Sequence, residues 1–335
     1  MAETLRVGLI GAGSMAGAHA AAWRGIDGVE IAGIASRTMR RAQGLAQAFG
    51  TRVSEIDAML ADPAIAAVDI CAPTAAHRDL VIAALAGGKH VFCETPLAHE
   101  IADAEAMIAA ARQAKRLLHV GLLMRSIVEY RHIFECVRSG EHGRLLAVMA
   151  YRLGSYLRPG APDAKAHYGD PATELMTFDF DVLNWLLGPP ASLSATGARL
   201  PDGRFGEISA LLHYDSGASA VVTGSGIMPA KAPYTTGLAA RFEDAAYELK
   251  TVFDTIPPKS AFVLYPRDGA PQALSLRGHN PYQAELQVFA DCIRGRGDAD
   301  LLDARHALAA LMLSDATRSS LNLRQAISLP GSRAN

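Results

Sequence analysis

Three small residues carry the first chemical signal in this chain. Gly11, Gly13 and Ala16 stand at G-x-G-x-x-A spacing directly after the apolar run Leu5 to Ile10. The first lets the backbone turn sharply out of a strand, the second lets a pyrophosphate approach the main chain, and the third lets the following helix pack closely on a sheet. A helix from about Met15 to Trp23 then aims uncommitted N–H groups and the positive end of its dipole at the phosphates. Gly11, Gly13, Ser14 and Met15 are therefore the candidate pyrophosphate contacts; a glycine-rich turn without a ligand is the plain alternative.

The next signal is where an adenosine ribose would be read. Val29 to Ala35 has the pattern of a second strand, and Ser36-Arg37-Thr38 follows it. An Asp or Glu there would bind a ribose 2′-hydroxyl and select NAD. A hydroxyl and a guanidinium suit a 2′-phosphate instead, because arginine matches phosphate oxygens in bidentate fashion. Ser36, Arg37 and Arg41 thus favour NADP over NAD, although Arg40 and Arg41 also fit a solvated helix face.

The elements that position these groups alternate. Met39 to Phe49 reads as a helix closed by Gly50, and Ser54 as the N-cap of a short helix ending before Asp62-Pro63. Ala67 to Cys71 is a buried strand running into Ala72-Pro73-Thr74. His77 opens a helix to Ala86, His90 to Cys93 is another strand, Ile101 to Ala114 another helix and Leu117 to Val120 a further strand. Strands alternating with helices of this length make a doubly wound parallel sheet with ligands at its carboxyl edge. The second half changes character. After a helix over Ser126 to Ser139 come strand candidates at Leu145–Tyr156, Ala191–Gly197, Glu207–Tyr214, Ala218–Gly224, Leu238–Phe242, Ala246–Val252 and Ala261–Tyr265, with Asp215-Ser216-Gly217 as a hairpin turn. The expected fold is α/β: a Rossmann domain over 1–122, then an α+β domain over 123–335 with a mostly antiparallel sheet, open on one face. Two closing helices lie between Pro281 and Leu323.

Composition narrows the function classes. A length of 335 residues fits about two domains. A net charge of −2 gives no reason to expect a nucleic acid or an anionic membrane as partner. Cys71, Cys93, Cys136 and Cys292 show no C-x-x-C spacing, so the sequence suggests neither a zinc site nor a disulfide framework. With no leader and no spanning segment evident, a cytoplasmic location is expected.

Taken together, these residues resemble the glucose–fructose oxidoreductase and inositol dehydrogenase family, Gfo/Idh/MocA. The resemblance covers nearly the whole chain: Gly11-x-Gly13-x-x-Ala16-x-x-His19, Ala72-Pro73-Thr74-x-x-His77, Gly88-Lys89-His90-Val91 with Glu94-x-Pro96-Leu97-Ala98, Asp181 with Trp185-Leu186-Leu187-Gly188, and Glu285 with Phe289. It implies hydride transfer between a nicotinamide and a carbinol or carbonyl carbon of a sugar, polyol or derivative. It implies cofactor contacts at Ala72, Thr74, His77, Glu94 and Pro96, and a basic residue near substrate at Arg125, for which a surface salt bridge is the alternative. It also implies a homo-oligomer, dimer or tetramer, formed through the C-terminal sheet.

Two departures stand out. The family's usual lysine falls on Thr95, and its Asp-x-x-x-His pair falls on Glu174 and Phe178. A threonine hydroxyl is a poor acid, Phe178 can move no proton, and a lost acid or base lowers a rate by roughly 10²–10⁴-fold. Replacements are sought in the Pro- and Gly-rich segment from Arg158 to Thr173, where His167 and Tyr168 lead into Glu174. Glu174, Thr95, His167, Tyr168 and Asp181 are the catalytic candidates; Arg125, Thr95, Tyr168 and Glu174 are the substrate candidates. Asp179 and Asp181, two apart, cannot share a helix face, so at least one is structural. Three functions follow: an NADP-preferring oxidoreductase with unusual proton donors, a cofactor-binding sensor without catalysis, or an oxidoreductase acting on a cyclic hemiacetal, imine or conjugated substrate.

Overall fold

A computed structural model describes residues 4–158 and 169–329. It divides into two compact units, Met1–Ile127 with Gly278–Leu308, and Val128–Arg277 with Ala309–Asn335. Residues 278–308 fall with the first unit although most of the second unit precedes them in sequence. The physical reason is aromatic packing: Phe289 lies 6.4 Å from Trp23, 5.6 Å from Phe92 and 5.5 Å from His119, ring centre to ring centre.

The first unit begins β1 (Leu5–Ile10), α1 (Ser14–Arg24), β2 (Val29–Ala35), α2 (Met39–Phe49), α3 (Ile56–Ala61), β3 (Ala67–Ile70), α4 (His77–Ala86), β4 (His90–Cys93), α5 (Ile101–Ala114) and β5 (Leu118–Val120). Its strands are parallel in the order β2-β1-β3-β4-β5. Those strands are almost wholly apolar because both faces are covered, as parallel sheets require. Ser54 does not cap α3, whose N-cap is Glu55; its amide instead bonds the Ile34 carbonyl beside β2, at 3.0 Å.

The second unit holds α6 (Val128–Ser139), β6 (Leu145–Leu153), α7 (Pro171–Glu174), α8 (Met176–Leu187), β7 (Ser192–Arg199), β8 (Phe205–His213), β9 (Ser219–Ser225), β10 (Tyr234–Phe242), β11 (Ala245–Phe253), β12 (Lys259–Pro266) and β13 (Gln272–Ala273). The returning segment carries α9 (Pro281–Ile293), followed by α10 (Ala304–Leu323) and β14 (Ile327–Ser328). The nine strands run β13-β12-β11-β10-β6-β9-β8-β7-β14, antiparallel except between β6 and β9. Val148, Ala150, Leu212, Val222, Leu238 and Leu249 fill the buried face at every second position. The alternate positions put Leu211, Val221, Met149 and Ala239 in one row across four strands, with Leu211 and Met149 exposed. The expected hairpin joins β8 to β9, with Gly217 at φ +84°.

Candidate active site

The carboxyl edge of the parallel sheet gathers most of the residues singled out in the first half. Gly11 leaves β1 at φ +136°, and a Cβ built on it would meet the Cys71 carbonyl oxygen at 2.4 Å, so only glycine makes this turn. A Cβ on Gly13 would meet nothing within 4 Å, which is the open floor a phosphate needs. Gly13 is also the N-cap of α1, and no side chain caps that end. The first-turn amides from Ser14 onward, which have no intrahelical acceptor, therefore face this space. Ser36 follows β2, and its hydroxyl accepts from the Thr38 amide at 3.2 Å. Arg37 and Arg41 are exposed and form no ion pair among the described residues. The main-chain cradle and free guanidinium groups fit a dinucleotide.

His77 holds the edge together. It is buried, with Nε2 2.8 Å from the Ala72 carbonyl oxygen and Nδ1 3.1 and 3.2 Å from those of Pro96 and Leu97. The ring sits between the carbonyls of Ala72 on one side and of Pro96 and Leu97 on the other, so His77 positions the loops at 72 and 96. Burial lowers its pKa below the ordinary histidine value. The Thr95–Pro96 peptide is cis. The Thr95 amide donates to Glu94 Oε2 at 3.0 Å, and its hydroxyl donates to the Gly121 carbonyl at 2.8 Å. That hydroxyl proton is already committed to the main chain. Arg125 is 2% exposed and donates to the Leu301 carbonyl at 2.9 Å, an internal tie to the returning segment.

Beneath the edge lies a charged network that the sequence reading did not assign to the site. His19 from α1 is fully buried, with Nδ1 2.9 Å from Asp69 Oδ2 and Nε2 2.8 Å from Glu94 Oε1. The second approach is off-line for a hydrogen bond and is a charge contact. Trp23 Nε1 donates to the same Asp69 oxygen at 2.8 Å. Burial alone would lower the His19 pKa, but the Asp69 carboxylate beside it raises it well above the ordinary value. Glu285 of α9 is 1% exposed, 4.0 Å from His19 Nε2, and neither oxygen finds a hydrogen-bond partner among the described residues. Burial pushes its carboxyl well above the usual range, against the opposing pull of the His19 charge. The signal was present in the sequence: Asp69 is the one charged residue in β3, and a carboxylate buried there demands a partner.

The second unit places Glu174 at the end of α7, 9% exposed, accepting from the Gly169 amide at 3.0 Å. Asp170 caps that helix, accepting from Ala172 at 3.0 Å and Thr173 at 3.3 Å, ahead of Pro171 in the first turn. Asp179 is the structural member of the aspartate pair. It takes a bidentate contact from Arg152 of β6, with nitrogens at 3.1 and 3.0 Å and both groups buried. The Arg152 guanidinium also lies 4.8 Å from the Phe178 ring centre. The sequence reading missed Arg152. Asp181 is buried on α8. His167 and Tyr168 lie outside the described residues.

A dinucleotide cradle on a parallel sheet, joined to an α+β unit with a large antiparallel sheet, defines an oxidoreductase of the Rossmann class. The model of the Gfo/Idh/MocA oxidoreductase family, NAD-binding Rossmann fold, matches residues 5–122, and that of the family's C-terminal domain matches residues 130–243. The chain belongs to this family. It is 28% identical to inositol 2-dehydrogenase of Rhizobium meliloti (strain 1021), over 97% of this chain and 99% of that one. It is also 28% identical to D-xylose 1-dehydrogenase (NADP(+)) 2 of Haloferax volcanii, over 90% and 92% of the two chains. Its fold matches that of an oxidoreductase from Agrobacterium radiobacter in complex with NAD+, L-tartaric acid and magnesium, with a TM-score of 0.79, 21% identity and coverage of 97% and 98%. Among the described residues no helix is long and apolar enough to cross a membrane.

Proposed function

We propose that this chain is an NADP-preferring oxidoreductase that moves a hydride between the nicotinamide and a carbinol or carbonyl carbon of a sugar, polyol or derivative. The observation that carries the reading is the uncapped first turn of α1 beneath an open Gly13, with Ser36 and unpaired Arg37 where an acidic ribose ligand would stand. The nicotinamide, when bound, supplies the hydride. The chain's residues supply the rest. The amides from Ser14 onward hold the pyrophosphate, Ser36 and Arg37 hold the 2′-phosphate, and His77 keeps the 72 and 96 loops in register.

The proton needs another carrier than Thr95 or Phe178. We assign it to carboxylates, with Glu174 in the second unit and Glu94 in the first as the groups to test. Glu94 Oε1 lies 2.8 Å from the buried His19 ring, which in turn meets Asp69, so the carboxylate is held in place against a cationic ring. Substrate relationships come from the similar proteins: one relative oxidises inositol and another xylose. The row Leu211, Val221, Met149 and Ala239 is the proposed surface for self-association, which equilibrium sedimentation of Met149→Glu against the parent chain tests.

The test of the main reading is titration with NADPH and NADH, then a panel of inositols, aldoses, cyclic hemiacetals and keto sugars followed at the nicotinamide absorbance. Tighter NADPH binding with turnover supports it. Tight binding without turnover on any member supports the second reading, a cofactor-dependent sensor, which the committed Thr95 hydroxyl and the Arg152-covered Phe178 favour.

A further inference from the structure

A second group of reactive side chains lies wholly within the second unit, and the proposed hydride chemistry does not use it. His132 and Cys136 stand four apart on α6 and so share one face of the helix. Just past the helix the chain turns back through Gly140 at φ +69° and Gly143 at φ +73°, bringing Glu141 and His142 to the same end. That turn is held in place. The Arg144 amide and Nε each donate to Glu243 at 2.9 Å, and the Asp244 amide donates to the His142 carbonyl at 3.1 Å.

The donor atoms converge. Cys136 Sγ lies 3.9 Å from His132 Nε2 and 3.9 Å from Glu141 Oε2, and His142 Nε2 lies 3.9 Å from Glu141 Oε1. One ligand atom each from Cys136, Glu141 and His142 falls within 4.8 Å of the others. Zinc bonds of about 2.0–2.3 Å in a tetrahedron put neighbouring ligand atoms roughly 3.3–3.8 Å apart. The three 3.9 Å edges need to contract by only a few tenths of an ångström; the wider separations within the Cys136, Glu141 and His142 group, up to 4.8 Å, close by roughly 1 Å through side-chain rotation, and His132 joins the set from its contact with Cys136. A thiolate, a carboxylate and two imidazoles also form the mixed donor set that a borderline-soft dication prefers, and their two negative charges neutralise it. Cys136 is 2% exposed while Glu141 is open to solvent, which leaves an entry path.

Tyr247 of β11 completes the arrangement. Its hydroxyl lies 2.9 Å from His142 Nε2, 3.2 Å from His132 Nε2 and 3.4 Å from Cys136 Sγ. Without an ion, that phenol is the hub of a hydrogen-bonded cluster. With one, the imidazoles turn to the metal and the phenol donates to the thiolate as an outer support.

We propose that His132, Cys136, Glu141 and His142 form a closed structural site for a zinc-type divalent cation, clamping α6 to the turn that follows it. The search for C-x-x-C spacing could not show it, because H-x3-C-x4-E-H mixes ligand types across a helix end and a turn.

The test uses tag-free full-length protein, stripped with a chelator and loaded with Zn2+ or Co2+ before desalting. The expected result is one zinc retained per chain, and a cobalt form with thiolate charge-transfer absorption and the intense visible bands of tetrahedral coordination. Cys136→Ser removes the charge-transfer band. Tyr247→Phe weakens zinc retention roughly 10- to 100-fold, as outer-shell losses do. Glu141→Gln, at an exposed position that leaves the core intact, weakens retention while NADPH binding is unchanged. Failure to retain zinc overturns the proposal. So does an octahedral cobalt spectrum, or zinc retention that Cys136→Ser and Glu141→Gln leave unaltered.

Discussion

Each unit buries a cation against an aspartate, and the two pairs differ in what the cation can do. His19 meets Asp69 at 2.9 Å beneath the cofactor edge, while Arg152 meets Asp179 through two nitrogens beneath the second sheet. An imidazolium can surrender its proton to neighbouring carboxylates; a guanidinium cannot. The first pair therefore belongs to a titratable network with Glu94 and Glu285, and the second is a permanent charge. The proposed proton chemistry can draw on the first but not on the second.

The largest expected effect separates the two pairs. Asp179→Ala strands Arg152 as a buried cation and should cost about 3–5 kcal/mol. Asp69→Ala lets His19 neutralise, so the loss should be nearer 1–3 kcal/mol, the cost of an unsatisfied buried group. Urea unfolding of the two variants measures this, and equal losses would mean that His19 stays charged without Asp69. For catalysis, Glu94→Gln and Glu174→Gln are expected to lower kcat by roughly 10²–10⁴-fold if each carries a proton, whereas Thr95→Val should fall well short of that range because its hydroxyl serves Gly121. A Thr95→Val loss as large as either would return the proton role to residue 95.

Smaller effects follow. Arg37→Ala should weaken NADPH roughly 10- to 100-fold, the worth of a charged hydrogen bond, and leave NADH unchanged. Equilibrium titration of both cofactors decides it.

The smallest effect is in pH. Burial lowers His119 to about 4, and burial with the Arg116 charge lowers half-buried His90 to about 4. Both rings stay neutral in the fold while the unfolded chain takes up protons near 6.5, so stability falls on acidification. From pH 7 to pH 5 the His119 share is about 2 kcal/mol, with less from His90. His19 has the opposite sign: its raised pKa gives stability that is complete below 6.5 and is lost as pH climbs through its folded value. Thermal midpoints of His119→Phe should flatten on the acid side only.

The parallel sheet was legible in the sequence because each of its strands is a short apolar run closed by glycine, proline or a helix start, and most boundaries fall within a residue or two. The antiparallel strands were found as segments, yet their order, with β6 beside β9, depends on pairings far apart in sequence. At the site, the glycine cradle and Thr95 were readable from spacing and resemblance. His19, Asp69 and Arg152 were harder to assign, because each lies among apolar neighbours on its own element and gains meaning only from a partner on another. Thr95 shows the limit of a motif: nothing in the sequence says its hydroxyl is taken by Gly121.

The return of residues 278–308 also orders events during synthesis. A ribosome delivers β1 to β5 long before α9, and Gln283 must find the Gly25 carbonyl across 258 residues of sequence. Until Phe289 and Glu285 arrive, the ring of Trp23 and the His19–Asp69 pair stand at an unfinished wall. A nascent chain ending at residue 277 would thus hold the strands of a nucleotide-binding sheet with its charged interior open to water. The segment that seals the first unit is translated only after strands β6 to β13 of the second.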